Sequence, residues 1–123
     1  MTYSETVVDH FTNPRNVGVI EDADGLGKDS NPVCGDFTRI TVKIAEGRVA
    51  DARFKTFGCS AAIASTSMVT TLALGKTLAE ASAIGPLDVL AALGGLPREK
   101  EGCALMAAGA LRSALAEAKV KAE

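Results

Sequence analysis

Strand patterning in the first half of the chain and helical patterning in the second predict an α+β fold, with helices packed on one face of an antiparallel sheet. Three observations carry this reading. Thr38, Ile40, Val42 and Ile44 alternate with Phe37, Arg39, Thr41 and Lys43 after Asp36. Ala45-Glu46-Gly47 then turns the chain back through Val49 to Phe57, making a β-hairpin. After Phe57-Gly58-Cys59-Ser60 the composition changes to Ala, Ser, Met and Leu, which suits helices. At 123 residues the chain accommodates one domain, 1–123, around a single apolar core.

Each element has its own signals. Thr2-x-x-Glu5 has the form of a capping box, and Tyr3, Val7 and Phe11 recur at helical spacing until Asn13-Pro14 ends the run. Residues 18–33 are rich in Gly and Asp and read as a long loop or an irregular edge strand. The hairpin follows, then a helix closed by Gly75 as its C-terminal glycine. Thr77-x-x-Glu80 caps a further helix, Pro86 opens another, and Gly94-Gly95 stops it. From about Lys100 onward, Leu105, Ala108, Leu111 and Leu115 form one stripe of a last helix.

Composition removes several classes of function. Hydrophobic residues at 47% and charged residues at 23% exclude a disordered or fibrous chain. A net charge of -2 lacks the basic footprint of a general nucleic-acid binder. With no apolar leader or long apolar run, the reading is of a cytoplasmic protein that does not enter a membrane. Gly75-Lys76-Thr77 lacks the first glycine of a phosphate-binding loop and follows a helix rather than a strand. Asp22, Asp24 and Gly27 begin like a calcium loop, but Leu26 and Val33 stand at ligand positions. His10, the only histidine, is distant in sequence from every cysteine, which argues against a Cys-His nucleophile.

Cysteine placement carries the chemistry. Cys34, Cys59 and Cys103 are an odd number, so free thiols or metal thiolates are expected rather than a complete disulfide framework. Each lies beside a glycine at an element junction, unlike structural cysteines, which usually sit inside apolar faces. An extended Cys34-Gly35-Asp36 would turn Cys34 and Asp36 to the same side. A helix N-terminus favours the thiolate at Cys59, and at Cys103 if it too opens a helix. The cysteines are 25 and 44 residues apart, so only the tertiary fold could bring them together. Three thiolates and a carboxylate would satisfy tetrahedral zinc or hold the irons of a cluster, and Arg53, Lys55 and Lys100 are available to offset their charge.

Asn13-Pro14-Arg15-Asn16, Cys34-Gly35-Asp36, Ala52 to Cys59, Ala62-Ile63-Ala64-Ser65, Gly75-Lys76-Thr77-Leu78, and Leu96-Pro97 followed by Lys100 and Cys103 resemble the IscU/NifU family in order and spacing. The resemblance spans nearly the whole chain. It implies a three-stranded antiparallel sheet with helices packed on one face, the IscU/SufE-like fold. It also implies a non-enzymatic scaffold on which a 2Fe-2S cluster is assembled and then transferred. By this resemblance Cys34, Asp36, Cys59 and Cys103 are the cluster ligands, the three cysteines accept sulfur, and Lys100 and Gly102 adjoin the site. The implied partners are a cysteine desulfurase, apo iron-sulfur acceptor proteins and a chaperone or frataxin-like protein, with self-association into a homo-oligomer. Zinc is the alternative occupant of the purified protein.

Two positions depart from the family. Gly102 stands where a histidine usually precedes the third cysteine, and Leu96-Pro97-Arg98-Glu99-Lys100 replaces the usual Leu-Pro-Pro-Val-Lys. The alternative function implied is a zinc-bound sulfur acceptor that stimulates the desulfurase. Relatives of that kind carry a longer stretch between their second and third cysteines, so the short stretch here favours the scaffold. A protein-interaction domain with incidental thiols is the third reading.

Overall fold

The computed structural model describes residues 3–122. Its sheet has three strands, β1 (Gly25–Asn31), β2 (Asp36–Ala45) and β3 (Arg48–Phe57), in the antiparallel order β1-β2-β3. Helix α1 (Glu5–Thr12) precedes the sheet. Helices α2 (Ser60–Ala73), α3 (Leu78–Ser82), α4 (Pro86–Leu93) and α5 (Glu101–Ala122) follow it, with a 3-10 turn at Arg98–Lys100 before the last.

The sheet is organised by its alternation. Ile40, Val42, Val49, Ala52 and Phe54 are buried and share a core with Val69 of α2 and Leu111 and Leu115 of α5. Their neighbours Arg39, Lys43, Arg53 and Lys55 lie on the opposite face with partial or full exposure. Glu46 and Gly47 both have positive φ, 54° and 74°, as a two-residue hairpin turn between twisted strands requires. One outer-face residue is buried. Thr41 is covered by the segment leading into β1, where Ile20 donates its N–H to Thr41 Oγ1 at 3.1 Å. That segment leaves the far edge of β3, where Val17 bridges Phe54, and reaches the other edge when Asp24 N–H meets Val42 O at 2.9 Å.

Of the two expectations for residues 18–33, the edge strand is the one formed, from Gly25 onward. Gly25 and Gly27 face α5 so closely that a Cβ would lie 1.9 Å from Ala114 O and 2.0 Å from Ala110 O. Glycine lets the helix backbone rest on this strand, and an apolar side chain there would lift it off.

The caps decide where helices begin. Thr2 lies outside the described residues, and Ser4 is the N-cap of α1, accepting from Val7 N–H at 3.1 Å and donating to Leu93 O. Thr77 and Glu80 form the expected capping box, and Gly94 closes α4 at φ 78°. Asp24 accepts from Ile44 N–H at 2.7 Å and approaches Lys43 and Lys121, which gives it a structural task.

Two residues of the predicted helix stripes lie elsewhere. Phe11 is 42% exposed, and the buried partner of Val7 on α1 is His10, whose Nδ1 stands 2.8 Å from Ser67 Oγ. Leu105 is 62% exposed because the buried face of α5 centres on Ala104, Ala107, Leu111, Ala114 and Ala118. Six residues before Leu111, Leu105 has rotated about 120° away from that centre.

Candidate metal centre

Three elements bring polar side chains to one end of the sheet. Asp36 begins β2, Cys59 is the N-cap residue of α2, and Cys103 lies in the first turn of α5. Cys59 Sγ is 3.9 Å from Cys103 Sγ, and Asp36 Oδ2 is 3.5 Å from Cys59 Sγ and 3.6 Å from Cys103 Sγ. One donor atom from each of the three therefore falls within 4.8 Å of the other two. Residues 44 and 67 positions apart in the chain thus share one site.

Burial differs sharply among them. Cys103 is fully buried, Asp36 is 5% exposed and Cys59 is half-buried. Gly58 makes the carboxylate's position available: a Cβ there would stand 2.7 Å from Asp36 Cγ and Oδ1. Ala61, Ala62 and Met106 form the apolar floor beneath Cys103.

Electrostatics sets the protonation of the group. Two unit anions about 4 Å apart repel by roughly 4 kcal/mol at an effective dielectric of 20. The Cys59 and Cys103 thiols donate toward Asp36 Oδ2, which separates the negative charge of the carboxylate from a second anion. Burial, followed by the charge of Cys59, pushes the Cys103 thiol up to about 12. The expected helix-terminus effect on Cys103 is therefore reversed, because desolvation of a fully buried thiol outweighs the dipole of its helix. A cation held by these three side chains would supply the compensating charge and take the place of thiol protons.

Cys34 occupies a different position from its three counterparts. It is exposed in the turn between β1 and β2, where Gly35 has φ 75°. A left-handed Gly35 breaks the extended geometry that would carry Cys34 and Asp36 to the same side, so Cys34 stands outside the close group. Lys100 is influenced by both parts. The charge of Cys59, and after it that of Cys34, holds the lysine ammonium above its ordinary value.

The other two expected cations do not serve the site. Arg53 pairs with Asp51 at 3.1 Å, and Lys55 is exposed on the outer sheet face opposite Arg39. Gly102 directs its open side at Asn31, whose Nδ2 would lie 3.0 Å from a Cβ. Sequence reasoning passed over Asn31, although Asn-Pro is a turn-initiating pair and Asn31-Pro32 stands just ahead of Cys34.

Comparison with known proteins gives a consistent result. The family model described as NifU-like N terminal domain matches residues 2–123. A relative in Archaeoglobus fulgidus, named iron-sulfur cluster assembly scaffold protein IscU 1, is 55% identical over 115 residues, covering 94% of this chain and 75% of the relative. The Escherichia coli K12 protein named iron-sulfur cluster assembly scaffold protein IscU is 46% identical over 127 residues, covering 100% of this chain and 98% of its own. Among solved structures, a putative scaffold protein for the SUF system from Fervidobacterium islandicum superposes with a TM-score of 0.75 at 24% identity, over 92% of this chain and 96% of that one. A NifU-like N-terminal protein from Brucella abortus also gives 0.75, at 16% identity, over 96% and 94%. These two likenesses establish the fold.

Proposed function

Because this chain belongs to the family of NifU-like N-terminal domains, we propose that it is a non-enzymatic scaffold on which an iron-sulfur cluster is built and then released. The observation that carries the reading is the convergence of Asp36, Cys59 and Cys103 within 4.8 Å, beside an exposed Cys34. Soft thiolates suit iron in a cluster, and one harder carboxylate oxygen gives a point at which the product can be exchanged.

The cluster is cargo here. Cys34, exposed on its turn, is the thiol best placed to accept persulfide sulfur from a cysteine desulfurase. Cys59, Cys103 and Asp36 hold iron beneath it; an external electron donor cleaves the Cys34 persulfide to sulfide and a free thiolate, and Cys34 then completes the ligand set of a 2Fe-2S cluster. Release to an apo iron-sulfur protein begins at Asp36, whose oxygen an incoming thiolate can replace.

The test is anaerobic incubation of the protein with ferrous iron, L-cysteine, a cysteine desulfurase and a thiol reductant such as dithiothreitol, followed by addition of an apo-ferredoxin. Charge-transfer bands should appear on this protein, with equal iron and acid-labile sulfide, and then pass to the ferredoxin. Retention of zinc with no visible chromophore, together with faster desulfurase turnover, would instead support the sulfur-acceptor role.

A further inference from the structure

The turn carrying Cys34 is held by one residue. Pro32 has no N–H, so the Pro32–Gly35 turn has only the N–H groups of Val33, Cys34 and Gly35 to satisfy. All three are directed to Asn31. Its Oδ1 accepts from Val33 at 3.2 Å, and its main-chain oxygen accepts from Cys34 at 3.2 Å and Gly35 at 2.8 Å. The same side chain is buried, although the four residues after it are exposed.

The other end of that carboxamide reaches a different element. Its Nδ2 fills the space beside Gly102, the residue preceding Cys103 in the first turn of α5. Any Cβ at position 102 would lie 3.0 Å from Nδ2 and press it aside by a few tenths of an ångström. A single amide thus spans from the backbone of the Cys34 turn to the helix turn that carries Cys103.

We propose that Asn31 is the positioning residue of the site, fixing the Cys34 turn over the Asp36, Cys59 and Cys103 group, and that position 102 is glycine in order to admit it. The inference rests on the cluster-binding reading above, in which Cys34 is a ligand. It gives Gly102 a reason that the lack of an imidazole does not. Space that a side chain could have used is filled by an amide from the neighbouring strand. The Asn31 side chain makes no hydrogen bond to a metal-binding atom; it acts through the turn and through the β1–β2 pairing, in which Asn31 stands opposite Asp36.

Three variants test this: Asn31→Ala, Asn31→Asp, which keeps an oxygen for the Val33 N–H, and Gly102→Ala. In metal-free protein, hydrogen exchange at Val33 reads the turn directly. Protection should fall about tenfold in Asn31→Ala, recover in Asn31→Asp and fall by a smaller factor in Gly102→Ala. The second readout is titration with cobalt(II) alone. The thiolate-to-cobalt charge-transfer intensity should lose about a third in Asn31→Ala, as one of three thiolates drops out, and be restored in Asn31→Asp.

Unchanged exchange in Asn31→Ala would overturn the role in the turn. Weakened protection with an undiminished cobalt spectrum would overturn the role in positioning Cys34, leaving a structural residue only. Failure of the unsubstituted protein to bind cobalt through thiolates would remove the cluster-binding reading and this inference with it, and that result is distinguishable because it precedes any substitution.

Discussion

The two ends of α5 use glycine for opposite purposes. Toward its C-terminal half, Gly25 and Gly27 of β1 let helix backbone press onto strand backbone, with Ala110 O and Ala114 O occupying the space of the missing side chains. At its N-terminal end, Gly58 and Gly102 leave room for polar side chains, the Asp36 carboxylate and the Asn31 amide. In the first region nothing can move, because the obstacle is main chain on both sides. In the second the obstacle is a side chain with alternative rotamers. The same residue type therefore closes one end of the molecule and furnishes the other.

Substitution of the strand glycines should break this contrast most severely. Gly27→Val places branched carbon where Ala110 O stands, and overpacking of this kind costs about 3 kcal/mol or more. The melting temperature should fall by about 10 °C or more in calorimetry. A change within two or three degrees would mean that α5 can lift from β1 without penalty.

Gly58→Ala should affect function more than stability. Its methyl group displaces the Asp36 carboxylate from 2.7 Å contact, and cobalt affinity should fall about tenfold while the melting temperature moves by only a few degrees. An equal loss of stability and binding would erase the distinction between the two ends.

Asp36→Ala sharpens the account of release. Removing the exchangeable oxygen ligand should lengthen the lifetime of the assembled cluster and slow its transfer to apo-ferredoxin, by a few-fold on the order of one weak ligand's contribution. Anaerobic absorbance follows both. Faster loss and faster transfer would contradict the labile-ligand role.

A further effect is one of pH on the metal-free protein. The Cys103 thiol is raised in the folded chain from 9.0 to about 12, so folding favours its neutral form. That contribution is complete below pH 9 and is lost as pH rises toward 12. Denaturant midpoints should decline across that interval, and Cys103→Ala should flatten the decline. A midpoint rising with pH there would have the wrong sign.

Much of the architecture is legible because it is written in periodicity. Strand β2 alternates apart from the buried Thr41, the Glu46-Gly47 turn demands positive φ, and Thr77-x-x-Glu80 announces its cap. Strand β1 is harder to read, since glycine facing a helix backbone leaves no apolar signature. Leu105 shows the limit of a stripe drawn through leucines when alanines make the buried face.

At the site, glycine neighbours pointed to Cys59 and Cys103, whose sulfurs lie 3.9 Å apart, but local geometry misplaced two properties of the cysteines. Gly35 in a left-handed conformation separates Cys34 from Asp36, and full burial reverses the effect of the helix terminus on Cys103. Both depend on contacts from distant elements. No local spacing encodes them.

The central claim is that residues from four separate places form one cluster-building site, and parallel anaerobic reconstitution of the unsubstituted protein with Cys34→Ser, Cys59→Ser and Cys103→Ser tests it most directly. Iron, acid-labile sulfide and visible absorbance are measured per chain. The account predicts equimolar iron and sulfide on the unsubstituted chain and a sharp loss of both in every single variant, with folding retained. Full cluster content in all three variants would contradict a shared site.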